Sequence, residues 1–224
     1  MFLTQCEINP RRRGARTLLG SPQALHAAVR YAFPSLGDGD GAASQDRSRV
    51  LWRLDSDGHR HLLYTVSSEP PDFTHVVEEA GWPSTTGWRT RDYDSLLNRI
   101  APQQFWHFRL TANPTRSGRL KDGSPTQRFG HVTAEQQAVW LMSRSAGWGF
   151  KIPNDRDEAP VGLITQRGTR TFRRGSGRVT ISTATYSGLL KVVDADAFRS
   201  ALLRGMGHAK AYGCGLMTLA PLRS

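Results

Sequence analysis

Residues 21–34 read SPQALHAAVRYAFP, and their pattern is that of an amphipathic helix. Ser21 is a favoured cap, and the proline that follows it suits the first helical position. Apolar side chains then recur at the spacing of one buried helix face, at Leu25, Ala28, Val29 and Ala32. Three polar side chains share the neighbouring face, Gln23, His26 and Arg30. The stretch therefore predicts a helix that ends near Phe33-Pro34 and presents a histidine beside its buried stripe.

Strand-like segments lie on both sides of this helix. Pro10 to Arg16 connects the first strand to the helix and is predicted to be a basic loop. Asp57-Gly58 is a typical hairpin turn between the next two strands. The predicted elements, in the order strand, helix, strand, strand, helix, strand, cover residues 2–9, 21–33, 49–54, 61–66, 73–80 and 87–90. This is the βαββαβ order of a ferredoxin-like domain.

The second half of the chain begins a similar series. A strand is predicted over 105–111, and Thr133-Ala-Glu-Gln136 has the sequence of a helix capping box. The remaining elements are a hairpin, a helix and a strand, predicted at residues 175–177, 194–203 and 216–219. We therefore predict the α+β class with two tandem ferredoxin-like domains, residues 1–98 and residues 102–224.

Arginine dominates the charge of the chain. The formal net charge is +11, from 30 basic and 19 acidic residues, and only four of the basic residues are lysines. Residues 1–112 hold 13 basic and 12 acidic side chains, whereas residues 113–224 hold 17 and 7. A basic excess in one part of a chain attracts polyanions, and a guanidinium group binds phosphate in a bidentate manner. The charge indicates a nucleic-acid-binding protein, with a merely solvated basic surface as the alternative.

Several protein classes find no support in the sequence. The 224 residues contain neither an apolar run long enough to span a membrane nor the start of a signal peptide, so a soluble, cytoplasmic protein is expected. Cys6 and Cys214 form no CxxC pair and are predicted to be buried, inert thiols. Because HExxH, GxSxG and P-loop motifs are missing, no metal and no cofactor is predicted.

His26 is the candidate for acid–base chemistry. An imidazole can take and give protons near neutral pH. The helix that carries His26 follows the arginine-rich segment 11–16, so an anion bound there would lie close to the imidazole. The alternative is an ordinary histidine on the surface of a helix.

Two further motifs are candidates for contacts with RNA. Residues 166–178, QRGTRTFRRGSGR, place five arginines around a glycine-rich turn. Such a finger suits the phosphates of a structured RNA, and the alternative is a solvated loop. Residues 205–215, GMGHAKAYGCG, combine four glycines with Lys210. Glycines let backbone amides approach phosphate closely, and they equally let a loop pack tightly on a sheet.

Several motifs together resemble the CasE family, the repeat-processing subunit of type I-E CRISPR systems. The start of the chain, MFLTxxxINPxxRxxR followed by SPxxLHxxV, is similar to the opening of that family and includes Asn9, Pro10, Arg13, Arg16 and His26. FWHFRLTANPTRS, HVTAEQQAVWLMSR and the closing GMGHAKAYGCGLMTLAPL are similar to its later motifs. The resemblance extends over essentially the whole chain.

The resemblance implies two ferredoxin-like domains that bind the stem-loop of a CRISPR repeat in precursor RNA, cut at the 3′ base of the stem and keep the product. It implies a metal-independent attack of the ribose 2′-hydroxyl on the adjacent phosphate, with His26 in a proton-transfer role. It also implies assembly with the other subunits of the Cascade complex. The residues predicted to bind RNA are Arg13, Arg16, Arg116, Arg119, Lys121, Arg128, Arg167, Arg170, Arg173, Arg174, Arg178, Gly205, Gly207, Lys210, Gly213 and Gly215.

One position departs from the family pattern. The resemblance leads us to expect a tyrosine three residues before the histidine, but the residue there is Gln23, whose amide cannot titrate. The candidates for another partner of His26 are Gln23 itself, Tyr31, Lys210 and the Arg173-Arg174 pair. One alternative is a non-catalytic or very slow RNA-binding subunit of the same fold. A further alternative is a basic ferredoxin-like RNA-binding protein outside CRISPR systems.

Overall fold

In a computed structural model, the chain divides into two units, each with its own antiparallel sheet. The structure describes residues 1–36, 50–83, 87–119, 125–153, 162–175 and 177–222. The first unit comprises Met1–Arg99 and Lys210–Leu216, and the second comprises Ile100–Ala209 and Met217–Ser224. A segment from the last part of the chain, Lys210–Leu216, is therefore built into the first unit. This return of the chain was not predicted.

The first unit has the predicted βαββαβ order. Its elements are β1 (Phe2–Ile8), α1 (Arg13–Gly20), α2 (Pro22–Tyr31), β2 (Leu51–Asp57), β3 (Arg60–Ser67), α3 (Thr74–Ala80), β4 (Trp88–Asp92) and α4 (Asp94–Leu97). The four strands pair antiparallel in the order β2-β3-β1-β4. Leu25 and Val29 of α2 join Cys6 and Ile8 of β1 in one buried core. The apolar stripe predicted for α2 therefore faces the sheet.

The segment predicted to be a basic loop is helical from Arg13 onwards, so that prediction was wrong. Helix α1 buries Ala15 and Leu18, and no side chain caps its start. Gly14 lies so close to α3 that an added Cβ would come within 2.7 Å of the Glu79 carbonyl oxygen. Packing within the unit thus stabilises a short helix whose own sequence lacks a start signal.

The second unit repeats the plan with additional strands. Its elements are β5 (Phe105–Ala112), β6 (Thr115–Gly118), β7 (Gln127–Gly130), α5 (Ala134–Ser145), β8 (Phe150–Lys151), β9 (Ile164–Arg174), β10 (Gly177–Val192), α6 (Ala195–Arg204) and β11 (Met217–Pro221). The main sheet has the order β11-β5-β10-β8, with β9 paired to β10, and β6 and β7 form a separate pair. The predicted fold class, α+β with tandem ferredoxin-like domains, is confirmed.

Sequence signals predicted some elements of the second unit and missed others. The capping box is present, since the Thr133 side chain accepts a hydrogen bond from the Gln136 backbone N–H at 3.2 Å. The hairpin predicted around 175–177 is present. Its two strands are longer than the sequence indicated, since they extend back to Ile164 and forward to Val192. Strands β6, β7 and β8 were not predicted.

Candidate active site

Helix α2 presents His26 beside the core of the first unit. The Ser21 side chain accepts a hydrogen bond from the Ala24 backbone N–H at 3.2 Å and so starts the helix where predicted. Leu25 and Val29 are buried, and His26 between them is partly exposed. Nδ1 of the imidazole is buried. A bound molecule would therefore reach the ring through its other edge.

A second aromatic side chain, Tyr212, lies against His26. The two ring centroids are 6.4 Å apart and the planes meet at 61°, an edge-to-face contact. Tyr212 ends a short 3-10 helix, Lys210–Tyr212, that packs on α2. Both rings are partly exposed. Tyr212 was not among the predicted site residues, and the one signal for it is its place in the glycine-rich closing motif.

Gly213 fixes the chain directly after Tyr212. Its φ of +80° lies in the left-handed region that favours glycine. A Cβ at this position would come within 2.7 Å of the ring of Trp52, which is itself buried. The close approach of backbone to indole therefore sets where the Tyr212 ring can lie.

A buried arginine holds the far end of the same segment. Nη1 of Arg53 donates a hydrogen bond to the Leu216 carbonyl oxygen at 3.0 Å. The Arg53 guanidinium, 1% exposed, also forms a bidentate ion pair with Asp55 at 2.7 and 2.8 Å. Because a buried charge is costly unless it is paired, this arrangement leaves little freedom to either partner. Strand β2 thus holds residues 213–216 through two consecutive side chains.

The residues predicted to assist His26 occupy different places. Gln23 is exposed, one helical turn before His26. Lys210 is partly exposed and starts the 3-10 helix that packs on α2. Tyr31 follows His26 by five residues, which places it about 140° further round the helix. Tyr31 is 75% exposed, and its ring contacts the His75 ring of α3 edge-on, with 4.9 Å between the centroids.

Two of the arginines predicted to bind RNA lie on α1. Arg13 and Arg16 are exposed, and their spacing of three residues puts them on the same side of the helix. Arg12 differs, since its guanidinium donates hydrogen bonds to the carbonyl oxygens of Glu78 at 2.6 Å and Gly81 at 3.4 Å. The structure thus distinguishes an arginine that ties α1 to α3 from two that face solvent.

The hairpin of β9 and β10 carries one face of arginines and hydroxyl groups. The cross-strand pairs on this face are Arg173 with Arg178, Thr171 with Thr180 and Thr169 with Ser182. The hydroxyl oxygens of the two hydroxyl pairs are 3.1 and 3.4 Å apart. Arg170 is exposed on the opposite face. Arg167, nearer the base, donates a hydrogen bond from Nε to the Gln137 side chain at 2.8 Å.

The hairpin of β6 and β7 adds further basic side chains to the second unit. The Arg116 guanidinium lies over the Phe129 ring at 5.5 Å, and Arg119 and Arg128 are exposed. A Cβ at Gly130 would come within 3.2 Å of Ser182 Oγ, so β7 meets the hydroxyl face of β10. Lys121 lies outside the described residues, as does the side chain of Arg174.

The glycines of the closing motif all have positive φ. The values are 74°, 79°, 80° and 95° for Gly205, Gly207, Gly213 and Gly215. A Cβ at Gly207 would come within 3.1 Å of the Trp140 ring, as one at Gly213 would approach Trp52. Tight packing, the alternative left open by the sequence, therefore accounts for Gly207 and Gly213. Contacts of these glycines with phosphate stay a prediction.

The cysteines are both buried, as predicted. Burial, with the nearby Glu7 carboxylate, raises the pKa of the Cys6 thiol to about 12. Within the described parts of the chain, no three side chains of His, Cys, Asp or Glu gather as a metal site would require. None of the described helices has the length and apolar character needed to cross a membrane.

Comparison with known proteins gives consistent matches over all or most of the chain. The family model for "CRISPR associated protein" matches residues 1–221. The chain is 26% identical to the CRISPR-associated endoribonuclease Cse3 of Thermus thermophilus over 99% of this chain and 100% of that protein. It is 29% identical to the CRISPR system Cascade subunit CasE of Escherichia coli over 77% of this chain and 89% of that protein. The structure of Thermus thermophilus Cse3 bound to an RNA representing a pre-cleavage complex superposes with a TM-score of 0.76, at 28% identity and 98% coverage of both chains.

Proposed function

The chain belongs to the family of CRISPR associated proteins, and from this premise we propose that it is the endoribonuclease that processes precursor CRISPR RNA. Its relatives Cse3 and CasE are named as an endoribonuclease and as a Cascade subunit. The chain binds the repeat stem-loop, cuts at the 3′ base of the stem and keeps the product. The observation that carries the proposal is His26, a partly exposed imidazole in the middle of α2, in a unit that also exposes Arg13 and Arg16.

The reaction is an internal transesterification of RNA. The ribose 2′-oxygen forms a bond to the adjacent phosphorus, and the bond from phosphorus to the 5′-oxygen breaks. The products are a 2′,3′-cyclic phosphate and a free 5′-hydroxyl. His26 serves in proton transfer, a role typically worth ~10² to 10⁴ in rate. The reaction uses no metal and no cofactor.

Exposed arginines bind the phosphates of the stem. Arg173 and Arg178 stand opposite each other on the hydroxyl-lined face of the β9–β10 hairpin, where a polyanion would relieve their mutual repulsion. Arg128 and Arg119 add positive charge in the same unit. Shape and backbone charge, rather than base edges, dominate recognition of a paired RNA stem.

The processed RNA stays bound, and the protein carries it into a Cascade-type assembly with other subunits. This step rests on the relative CasE, which is named as a subunit of Cascade. We place the protein in the cytoplasm because its RNA substrate is transcribed there.

A cleavage assay in EDTA tests the proposed function. The cognate repeat RNA is prepared with either a ribose or a 2′-deoxyribose at the cut site. We expect wild-type protein to cut only the ribose form, because the 2′-hydroxyl is the nucleophile. His26→Ala should cut neither form, whereas His59→Ala, an exposed histidine in the turn after β2, should retain the wild-type rate.

Tight binding of the repeat without any cleavage by the wild type would contradict the nuclease function. The protein would then be a non-catalytic RNA-binding subunit, and the amide of Gln23, which cannot titrate, would explain the missing catalysis. Cleavage that required an added divalent cation, or that persisted in His26→Ala, would contradict the mechanism.

A further inference from the structure

Tyr212 stands where a proton-transfer partner of His26 is needed. The amide of Gln23, one turn before His26, can form hydrogen bonds but cannot titrate. The Tyr212 ring, by contrast, lies edge-on against the imidazole with 6.4 Å between the ring centroids. We propose that Tyr212 donates the proton that the leaving 5′-oxygen requires. This inference rests on the proposed function and assigns the second half of its proton transfer.

The two side chains can serve one phosphodiester. Catalytic groups act within a hydrogen-bond reach of about 2.6–3.2 Å. Rings whose centroids are 6.4 Å apart can each reach a different reacting oxygen at one phosphorus, the attacking 2′-oxygen and the leaving 5′-oxygen, and both rings are partly exposed. Because Nδ1 of His26 is buried, the imidazole meets the RNA through Nε2.

The division of labour follows from the donor and acceptor chemistry of the two side chains. A phenol carries a proton that it can donate, whereas a neutral imidazole has a ring nitrogen that can accept one. His26 therefore takes the proton of the 2′-hydroxyl, and Tyr212 gives its proton to the 5′-oxygen as the bond from phosphorus breaks. The resulting imidazolium then returns a proton to the phenolate, directly or through solvent, which restores both side chains.

The position of the phenol is built into the fold. Gly213 rests on the buried ring of Trp52, and Arg53 holds the Leu216 carbonyl oxygen. Both supports come from one edge strand of the unit that also carries α2. A group fixed by buried contacts is in place before the substrate arrives, as catalysis by positioned side chains requires.

A substrate with sulfur in place of the bridging 5′-oxygen tests this assignment. A thiolate, whose conjugate acid has a pKa of ~8.5, leaves without being protonated. On the natural RNA, Tyr212→Phe should lower the single-turnover rate by ~10² or more, because the ring stays and only the hydroxyl is lost. On the 5′-thio RNA, the same variant should cut at nearly the wild-type rate.

Two further variants complete the experiment. His26→Ala should be slow on both RNAs, since the 2′-hydroxyl must lose its proton in either case. Tyr64→Phe keeps the ring that lies 5.3 Å from the Arg53 guanidinium and removes only a hydroxyl that accepts a hydrogen bond from Gln5 at 3.0 Å, so it should cut both RNAs at the wild-type rate.

The outcomes separate this inference from the proposed function. An equal loss for Tyr212→Phe on both RNAs would show a merely structural tyrosine and overturn the assignment. Wild-type activity of Tyr212→Phe on the natural RNA would overturn it as well, while leaving the nuclease function intact. If the wild type cut neither RNA, the proposed function would fail and this assignment with it.

Discussion

Gly213 is the residue on which the geometry of the site depends most directly. Replacement by alanine forces a Cβ to within 2.7 Å of the Trp52 ring and keeps φ at +80°. The left-handed backbone costs an alanine roughly 1–2 kcal/mol, and overpacking adds roughly 1–3 kcal/mol. We expect Gly213→Ala to lower the free energy of unfolding by both contributions together, roughly 2–5 kcal/mol, as measured by urea titration. Cleavage should fall more than RNA binding, because the Tyr212 ring is displaced.

Gly58 provides a matched control for that measurement. Its φ is +55°, and a Cβ there would meet no atom within 4 Å. Gly58→Ala should therefore show only the backbone cost of roughly 1–2 kcal/mol and no loss of cleavage. Equal effects of the two substitutions would mean that the contact with Trp52 contributes nothing.

At the scale of single residues, the sequence was informative where the signal is local. The buried stripe of α2 and the burial of Cys6 and Cys214 were predicted correctly from spacing and composition. His26 became a candidate through its position after an arginine-rich segment, and the resemblance to the CasE family made it the leading one. Tyr212 was missed because nothing in the sequence indicates that residues 26 and 212 meet. Only the folded chain brings them together.

Among the elements, the β9–β10 hairpin makes the clearest prediction about binding. Arg173 and Arg178 lie directly opposite each other, and neighbouring like charges destabilise a strand pair until an anion is bound. Removing one phosphate contact should reduce the slope of log binding constant against log salt by ~0.7–0.9. We expect this change for Arg173→Ala in binding titrations at several salt concentrations, with the preference for the repeat sequence unchanged.

The exposed Arg144 of α5 serves as the control for the hairpin. Arg144→Ala removes the same charge from the same unit but from a helix without a predicted RNA contact. Its salt dependence should match that of the wild type. An identical shift for both variants would indicate a general effect of net charge rather than a phosphate contact by Arg173.

Elements with local start signals were predicted well, and those stabilised by packing were not. The Ser21 cap and the Thr133 capping box mark α2 and α5 correctly. Helix α1 has no capping side chain and was predicted as a loop, because it is stabilised by packing of Ala15 and Leu18 in the core and by the close approach of Gly14 to α3. Strands β6 and β7 were missed for a different reason, since a four-residue strand carries too little pattern to detect.

For the whole molecule, a buried thiol and two buried phenols predict a loss of stability at alkaline pH. Burial raises the pKa of the Cys6 thiol to about 12, while an exposed thiol ionises at ~8.5. The folded state therefore holds a proton that the unfolded state releases, so the stabilisation is complete below the unfolded pKa and declines as pH rises. Burial likewise raises the pKa of Tyr93 and Tyr186, which extends the decline.

We expect the free energy of unfolding to fall between about pH 9 and pH 12, by roughly 1 kcal/mol per pH unit for each such group. Urea titrations across this range would measure the slope. Cys6→Ala should make the slope shallower in the lower part of the range, where the phenols are still protonated in both states. An unchanged slope would contradict the burial of an un-ionised thiol.

The βαββαβ plan of each unit could be predicted, but strands β6, β7 and β8 and the course of the last part of the chain could not. The βαββαβ pattern and the doubled plan follow from periodicity and turn residues. The return of Lys210–Leu216 to the first unit depends on the buried Arg53 and its ion pair with Asp55. The sequence around Arg53 does not indicate that its side chain will bind the carbonyl oxygen of Leu216.

That return has a consequence for how the protein is made. Residues 1–99 leave the ribosome first, but the segment that completes their unit is translated near the end of a 224-residue chain. A nascent chain therefore exposes His26 long before it has Tyr212 to place beside it. Truncated translation products, and chains clipped near their carboxyl end, lack the second proton carrier. Such fragments should therefore be poor nucleases even where they bind RNA.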